Sequence, residues 1–345
     1  MTRSVRPDFC VLPPVHRKPP FADCPAMIVR PRPRGIEYFF VLRGSILPNI
    51  WIKLLTTIAT AVVVTLSHGT FYHLKITLTT IPFTLMGLAL AIFLGFRNSA
   101  SYERFWEGRK LWGTLLASCR DLTRQIDAFL LPAQAGNAEK QAEEQAEIAA
   151  MRRRVALAGL AFAHTLRHQL RDSSPHADLR RLLPAEEAAR IGRLQRPAAG
   201  LLQGIGDDLH ACLRRGWISA PLAAELDRSL SRMGDVLSAC ERIRNTPLPF
   251  SYAVLLHRTV YLYCYLLPFG LVDSIGALTP IVVGIVAYTF FGLDAIGDEI
   301  EEPFGTTAND LPLAALCVDI EISVREALGE RDLPHMPEPV NYCLQ

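Results

Sequence analysis

The sequence predicts an all-α membrane protein, with four transmembrane helices per subunit and a helical cytoplasmic domain. Residues 76–96 run for 21 residues without a charge, and Arg97 follows at once. At about 1.5 Å per residue that is roughly 31 Å of helix, the thickness of a bilayer hydrocarbon core. Three more apolar stretches accompany it, giving spans at about 48–66, 76–96, 250–272 and 275–296 in two tightly linked pairs. The polar region between the pairs, 97–249, is long enough for an aqueous domain of its own. The competing reading, buried helices of a large soluble α protein, draws on the charges inside two spans: Lys53 in the first, His257 and Arg258 in the third.

In chain order, residues 1–26 are rich in Pro and basic residues and have no continuous apolar core of the kind a secretory signal carries, so disorder is expected there. Met27 opens MIVRP and reads as a natural start. Arg30, Arg32, Arg34 and Arg43 precede the first span, and Arg97, Arg104, Arg109 and Lys110 follow the second, whereas the loop between them offers only Lys75. This asymmetry puts the N-terminus in the cytoplasm, and an even number of spans puts the middle region and the C-terminal tail, 331–345, there too.

The middle region reads as helical. Phe105, Leu111, Leu115, Cys119, Leu122 and Ile126 recur at helical spacing, continuing the second span into one long unit. Residues 133–150 form a solvated Ala, Glu and Gln stretch, 155–170 an apolar-periodic helix, and 201–213 and 221–244 two more. Eight scattered cysteines have no metal-type spacing and are expected reduced. Half the residues are hydrophobic, and a net charge of +2 without an aromatic-interleaved basic strip implies no nucleic-acid partner.

Phosphate-loop, dinucleotide-glycine and nucleophile-elbow patterns are absent, so no catalytic residue, cofactor or metal is assigned. His164 and His168 share one helix face, but position 165 is Thr, and no third ligand is near in sequence. They read as ordinary surface or interface histidines.

The second span carries the sharpest pattern. Gly87, Ala91 and Gly95 form a small-residue stripe that lets another helix approach closely. One residue on, Leu88, Ile92 and Phe96 form a bulky stripe rotated by about 100°. Continuing that register outward gives Thr84 and Thr80. Around a symmetry axis, the hydroxyls would line a wet vestibule and the bulky side chains a neck able to gate by dewetting; lipid-facing side chains would give the same spacing. Pro82 is expected to free a carbonyl and loosen the span. Asp294 lies at a depth from which it can pair with Arg258, because an unpaired cation in a span costs at least about 2.5 kcal/mol.

MIVRP at 27–31, RGSI at 43–46, KITLTTIPFTLMGLALAIFLGFRNSASYERFWEGRKLWG at 75–113, RNTPLPFSYAVLLHRTVYLYCYLLPFGLVDS at 244–274 and TPIVVGIVAYTFFGLDAIGDEIEEPFGTTANDLPL at 279–313 together resemble a bacterial bestrophin. The likeness runs from Met27 to about Glu326, weaker between 132 and 200, so residues 27–330 are taken as one bestrophin channel domain. It implies a bestrophin-like homopentamer in the bacterial inner membrane, with monovalent ions as permeants through one pore lined by the second span.

The resemblance places the neck at Leu88, Ile92 and Phe96, and a second, cytoplasmic constriction at Ile205 in GLLQGIGDD, with Asp207 and Asp208 beside it. The aliphatic neck leans the expectation towards monovalent cations, with an anion channel of the same architecture as the alternative, and a membrane-bound enzyme or a scaffold behind both. Animal relatives bind calcium in an acidic run after Pro-Phe-Gly. Here Pro303, Phe304 and Gly305 lead into TTAND, which is poor in carboxylates, and calcium gating is not expected.

Overall fold

The computed structural model describes residues 27–29, 35–41, 44–67, 70–71, 74–75, 79–132, 138–339 and 342–344. The expected disordered segment 1–26 lies outside them, as do residues 76–78 at the start of the second span.

Ten α-helices dominate the described residues: α1 (Leu47–Leu66), α2 (Thr80–Phe129), α3 (Ala138–Leu170), α4 (His176–Leu182), α5 (Ala185–Gly192), α6 (Pro197–Arg214), α7 (Ala220–Asn245), α8 (Phe250–Ile275), α9 (Thr279–Glu301) and α10 (Leu313–Ala327). The extended pieces are two-residue pairings, of which Met27–Ile28 with Cys343–Leu344 ties the start of the described chain to its end. Among the described residues, three stretches are long and apolar enough to cross a membrane: α1, the first part of α2, and 250–301. The third comprises two helices, because the chain reverses at Gly276, whose φ of +53° suits a residue without a side chain. The sequence put that reversal at Asp273 and Ser274; α8 instead runs a turn further.

Two cores form. In the apolar half, α9 packs on α1, α2 and α8, and α8 also touches α1 and α2. Ile50, Phe83, Leu90, Leu94, Val260, Val283 and Phe291 fill this core. In the polar half, α2 continues without a break and packs on α3, α7 and α10 around Trp112, Leu115, Leu122, Phe162 and Met233. At about 1.5 Å per residue, the 50 residues of α2 make a rod about 75 Å long that belongs to both cores.

Several local expectations change. Pro82 falls in the first turn of α2, where an imide nitrogen displaces no intrahelical donor, so it neither frees a carbonyl nor bends the helix. The proline that interrupts a helix is Pro268 in α8. The solvated stretch 138–150 and the apolar 155–170 form one helix, exposed at its start and buried at its end. Helix α10, which the sequence reading left unmarked, buries Leu313, Cys317, Ile320 and Val324 in the core of the polar half.

Candidate functional site: the exposed face of the long helix

Helix α2 packs on its own subunit through Phe83, Leu90, Leu94 and Arg97. At about 100° per residue these fall within one arc. The remaining circumference, about 200° from Ala91 through Thr84, Gly95, Leu88, Ile92 and Phe96 to Phe93, is exposed, with Ile92 near its centre. Leu88, Ile92 and Phe96 are 63%, 49% and 65% exposed, so nothing within the subunit covers the stripe that the sequence singled out. At the outer end of the same arc, Thr84 donates its hydroxyl to the Thr80 carbonyl at 3.2 Å.

The small-residue stripe divides. A Cβ at Gly87 would stand 2.7 Å from the Tyr263 hydroxyl, so Gly87 does admit a neighbouring helix. Ala91 and Gly95 are exposed, with open space over Gly95. A four-residue step overshoots a full turn by about 40°, which carries the stripe off the face that packs on α8.

Directly below Phe96, Arg97 turns inward and is 2% exposed. One guanidinium nitrogen lies 2.9 Å from Asp294 Oδ1, and the other bonds Asp298 and lies 3.7 Å from Glu301. The second oxygen of Asp294 lies 2.7 Å from His257 Nδ1. The expected pair of Arg258 with Asp294 is therefore absent: His257 and Arg97 take both carboxylate oxygens, and Arg258, one residue and about 100° further round α8, is exposed. Asn98 fits against Gly297, where a Cβ would lie 2.5 Å from its Oδ1. Arg104 extends the clamp, donating from Nε to the Glu301 carbonyl at 3.1 Å and from Nη2 to the Ile243 carbonyl at 2.6 Å.

The acidic run after the last span is spoken for. The Asn49 and Asn309 amides both donate to Glu299, and Glu301 accepts from the Leu248 backbone at 3.1 Å. Asp310 accepts from the Thr307 backbone within its own loop, and its burial pushes the carboxyl up to about 6. Arg171 holds the loop down by donating to the Phe304 and Leu311 carbonyls.

Ile205 is wholly buried in the core of the polar half, so it cannot form a constriction from this position. Of its neighbours, Asp208 is bonded to Arg154 at 2.8 Å, while Asp207 is exposed. His164 is buried rather than superficial, with Nδ1 3.3 Å from Asp178 and Nε2 3.2 Å from Glu321. His168 lies 3.0 Å from the same Asp178, and Arg181 binds both carboxylates. The neighbouring His164 and the hydrogen-bonded His168 hold Asp178 far below the usual carboxylate range. For Glu321 burial works against ionisation, but His164, Arg181 and Arg325 outweigh it and hold that carboxyl low as well. This network bolts α3, α4 and α10 together; of its acidic members, Asp178 lies on the next helix, ten residues after His168, and Glu321 far along the chain, so both escaped the search around His164.

A family model described as Bacterial/Fungal Bestrophin protein matches residues 27–326. A protein of Ralstonia nicotianae named as a voltage-dependent anion channel-forming protein is 42% identical over 307 residues, covering 89% of this chain and 96% of that one. A protein of Escherichia coli strain K12 with the same description is 39% identical over 308 residues, 89% of this chain and 96% of its own. Among solved structures, a bacterial bestrophin homolog from Klebsiella pneumoniae superposes with a TM-score of 0.75 at 41% identity, covering 82% of this chain and 99% of that one.

Proposed function

The chain belongs to the bacterial and fungal bestrophin family of ion channels, and from that premise we propose a homopentamer around one central pore in the bacterial inner membrane. Helices α1, α2, α8 and α9 are its four spans, and both termini are cytoplasmic. The observation that carries this reading is the uncovered apolar arc of α2 centred on Ile92. Five copies turned about an axis bring Leu88, Ile92 and Phe96 together as stacked apolar rings, leave Thr80 and Thr84 at the outer mouth, and offer Ala91 and Gly95 to the neighbouring α2. Apolar rings of this kind pass ions only when wetted.

Selectivity follows the relatives, which are named as anion channels, and the cation expectation gives way. Its physical support was an acidic ring beside Ile205; Ile205 is buried and Asp208 is neutralised by Arg154. Below the neck, α2 carries Arg109 and Lys110, both within 6 Å of the Trp106 ring, and Glu103 without an ion-pair partner among the described residues, whereas its other accessible carboxylates are paired, Glu107 with Arg242, Asp121 with Arg124 and Asp127 with Arg152. That surplus of positive charge favours anions. Reversal potentials of purified protein in planar bilayers under a potassium chloride gradient test this. A value near the chloride equilibrium potential is expected, one near that of potassium would restore the cation reading, and an intact assembly that passes no ion in either direction would overturn the channel itself.

A further inference from the structure

Lys53 on α1 and Arg258 on α8 have no carboxylate partner among the described residues. Arg258 lines an open surface recess of about 410 Å³ on α8, together with His257, Tyr261, Leu262 and Tyr265, and Lys53 stands beside it. The Lys53 ammonium lies 5.1 Å from the centre of the Tyr261 ring, and the Tyr265 hydroxyl meets the Thr56 hydroxyl at 2.6 Å, which fixes the α1 side of the recess. Helix α1 packs on α9 and α8 rather than on α2, so the recess lies away from the exposed face of α2.

Its depth is set by helix geometry. Lys53 is six residues from the start of α1 and Arg258 eight from the start of α8, about 9 and 12 Å into the bundle from its cytoplasmic end. Trp51, exposed two residues before Lys53, is the kind of side chain that sits at headgroup level. The charge there is one-sided. Neither α1 nor the half of α8 bearing the recess contains an acid, and Asp294 spends both oxygens on Arg97 and His257. Three of the acids at the foot of α9 are likewise engaged, Asp298 by Arg97, Glu299 by Asn49 and Asn309, and Glu301 by the Leu248 backbone, while Glu302 is exposed at the helix cap. Two cations at the depth of a leaflet boundary, beside tyrosine hydroxyls and an apolar wall, match one chemistry.

We infer that this recess on α8, with Lys53 of α1 at its edge, binds the headgroup of an anionic glycerophospholipid of the cytoplasmic leaflet. Lys53 and Arg258 meet the phosphate and the headgroup charge, the Tyr261 hydroxyl donates to a phosphate oxygen, and an acyl chain lies along Leu262. The site requires only that α1 and α8 span the membrane, and it stands apart from what the pore conducts.

Native mass spectrometry of the full-length assembly, exposed to phosphatidylglycerol and phosphatidylcholine with matched acyl chains, tests this directly. The wild-type protein is expected to retain phosphatidylglycerol in preference. K53Q and R258Q should each lower the retention ratio about five-fold, R258K should keep most of it, and free inorganic phosphate should not displace the lipid. Equal retention of the two lipids by the wild type, an unchanged ratio in both variants, or displacement by inorganic phosphate would overturn the site. So would R258Q dissociating the assembly while the surviving oligomers keep the wild-type ratio, because Arg258 would then belong to a contact with a second copy of the chain. Ion flux measured on the same variants separates loss of lipid from loss of conduction.

Discussion

Arg97 and Asp294 are each almost fully enclosed at the level where α2 leaves the apolar core. Removing one charge strands the other, so Arg97→Gln is expected to destabilise the subunit by about 3–5 kcal/mol, and Arg97→Gln with Asp294→Asn by clearly less than the sum of the single changes. Thermal unfolding of the purified variants reads both. Glu321 makes a second residue-scale case. A carboxyl held below its ordinary pKa stabilises the fold above the unfolded-state value, and the contribution is lost as pH falls through the folded-state value. The stability that Glu321 supplies should therefore persist through pH 5 and fade only below the ordinary carboxylate range, and Glu321→Gln should lose about 3 kcal/mol at neutral pH. Denaturant titrations at neutral and acid pH, with the two proteins converging at the lowest pH, check the sign. At this scale the sequence misleads by single steps. It shows that an acid and a base lie at similar depth in two spans, but a difference of one residue, His257 against Arg258, sets which side chain turns inward. It also offers Ile205 as a pore residue, because an isoleucine reads the same whether a helix turns it towards an axis or into a core.

Among the elements, α2 is the most legible. Its apolar run, its periodicity beyond Arg97 and its two stripes were all readable, because each depends only on spacing along one helix. Which stripe packs was not readable, because that depends on Tyr263 and on α9. The exposed bulky stripe yields a prediction for assembled protein: Ile92→Ala should raise unitary conductance by widening and wetting the central ring. Ile92→Phe should shift the anion-to-cation permeability ratio, since aromatic edges carry partial positive charge. Single-channel recording with an unaltered oligomer is the measurement, and no change in either variant would put Ile92 on a packing or lipid face. The packed side has its own test. A Cβ at Gly270 would lie 2.5 Å from the Phe83 ring, so Gly270→Ala should destabilise the α2 and α8 contact by about 1–3 kcal/mol, and Phe83→Leu should relieve part of it. Thermal unfolding of the single and double variants decides. Helix α10 went unread in the sequence because it is short and its burial comes from α2 and α3, neither of which adjoins it in the chain.

For the whole molecule, the division into an apolar bundle and a polar helical domain was plain in the order of the spans, because a bilayer demands continuous apolar length. The loop that joins them after α9 is built from internal bonds: Asp310 caps its own turn, and Asn309 and Asn49 hold Glu299. Micromolar calcium is accordingly expected to leave open probability unchanged in planar bilayers, and steep activation would show that these oxygens regroup around the ion.

The unbroken run of α2 has a mechanical consequence. Trp112, locked in the core of the polar half, lies 20 residues from Ile92, about 30 Å along the rod. A stiff arm of that length pivoting at Trp112 through about 5° carries its far end sideways by roughly 2.6 Å. Five arms leaning outward together would widen the ring by about twice that, more than the diameter of a water molecule, with every rotamer in the bilayer unchanged. In the proposed pentamer, force applied to the polar helical domain would thus reach the ring at Ile92 through a single strut.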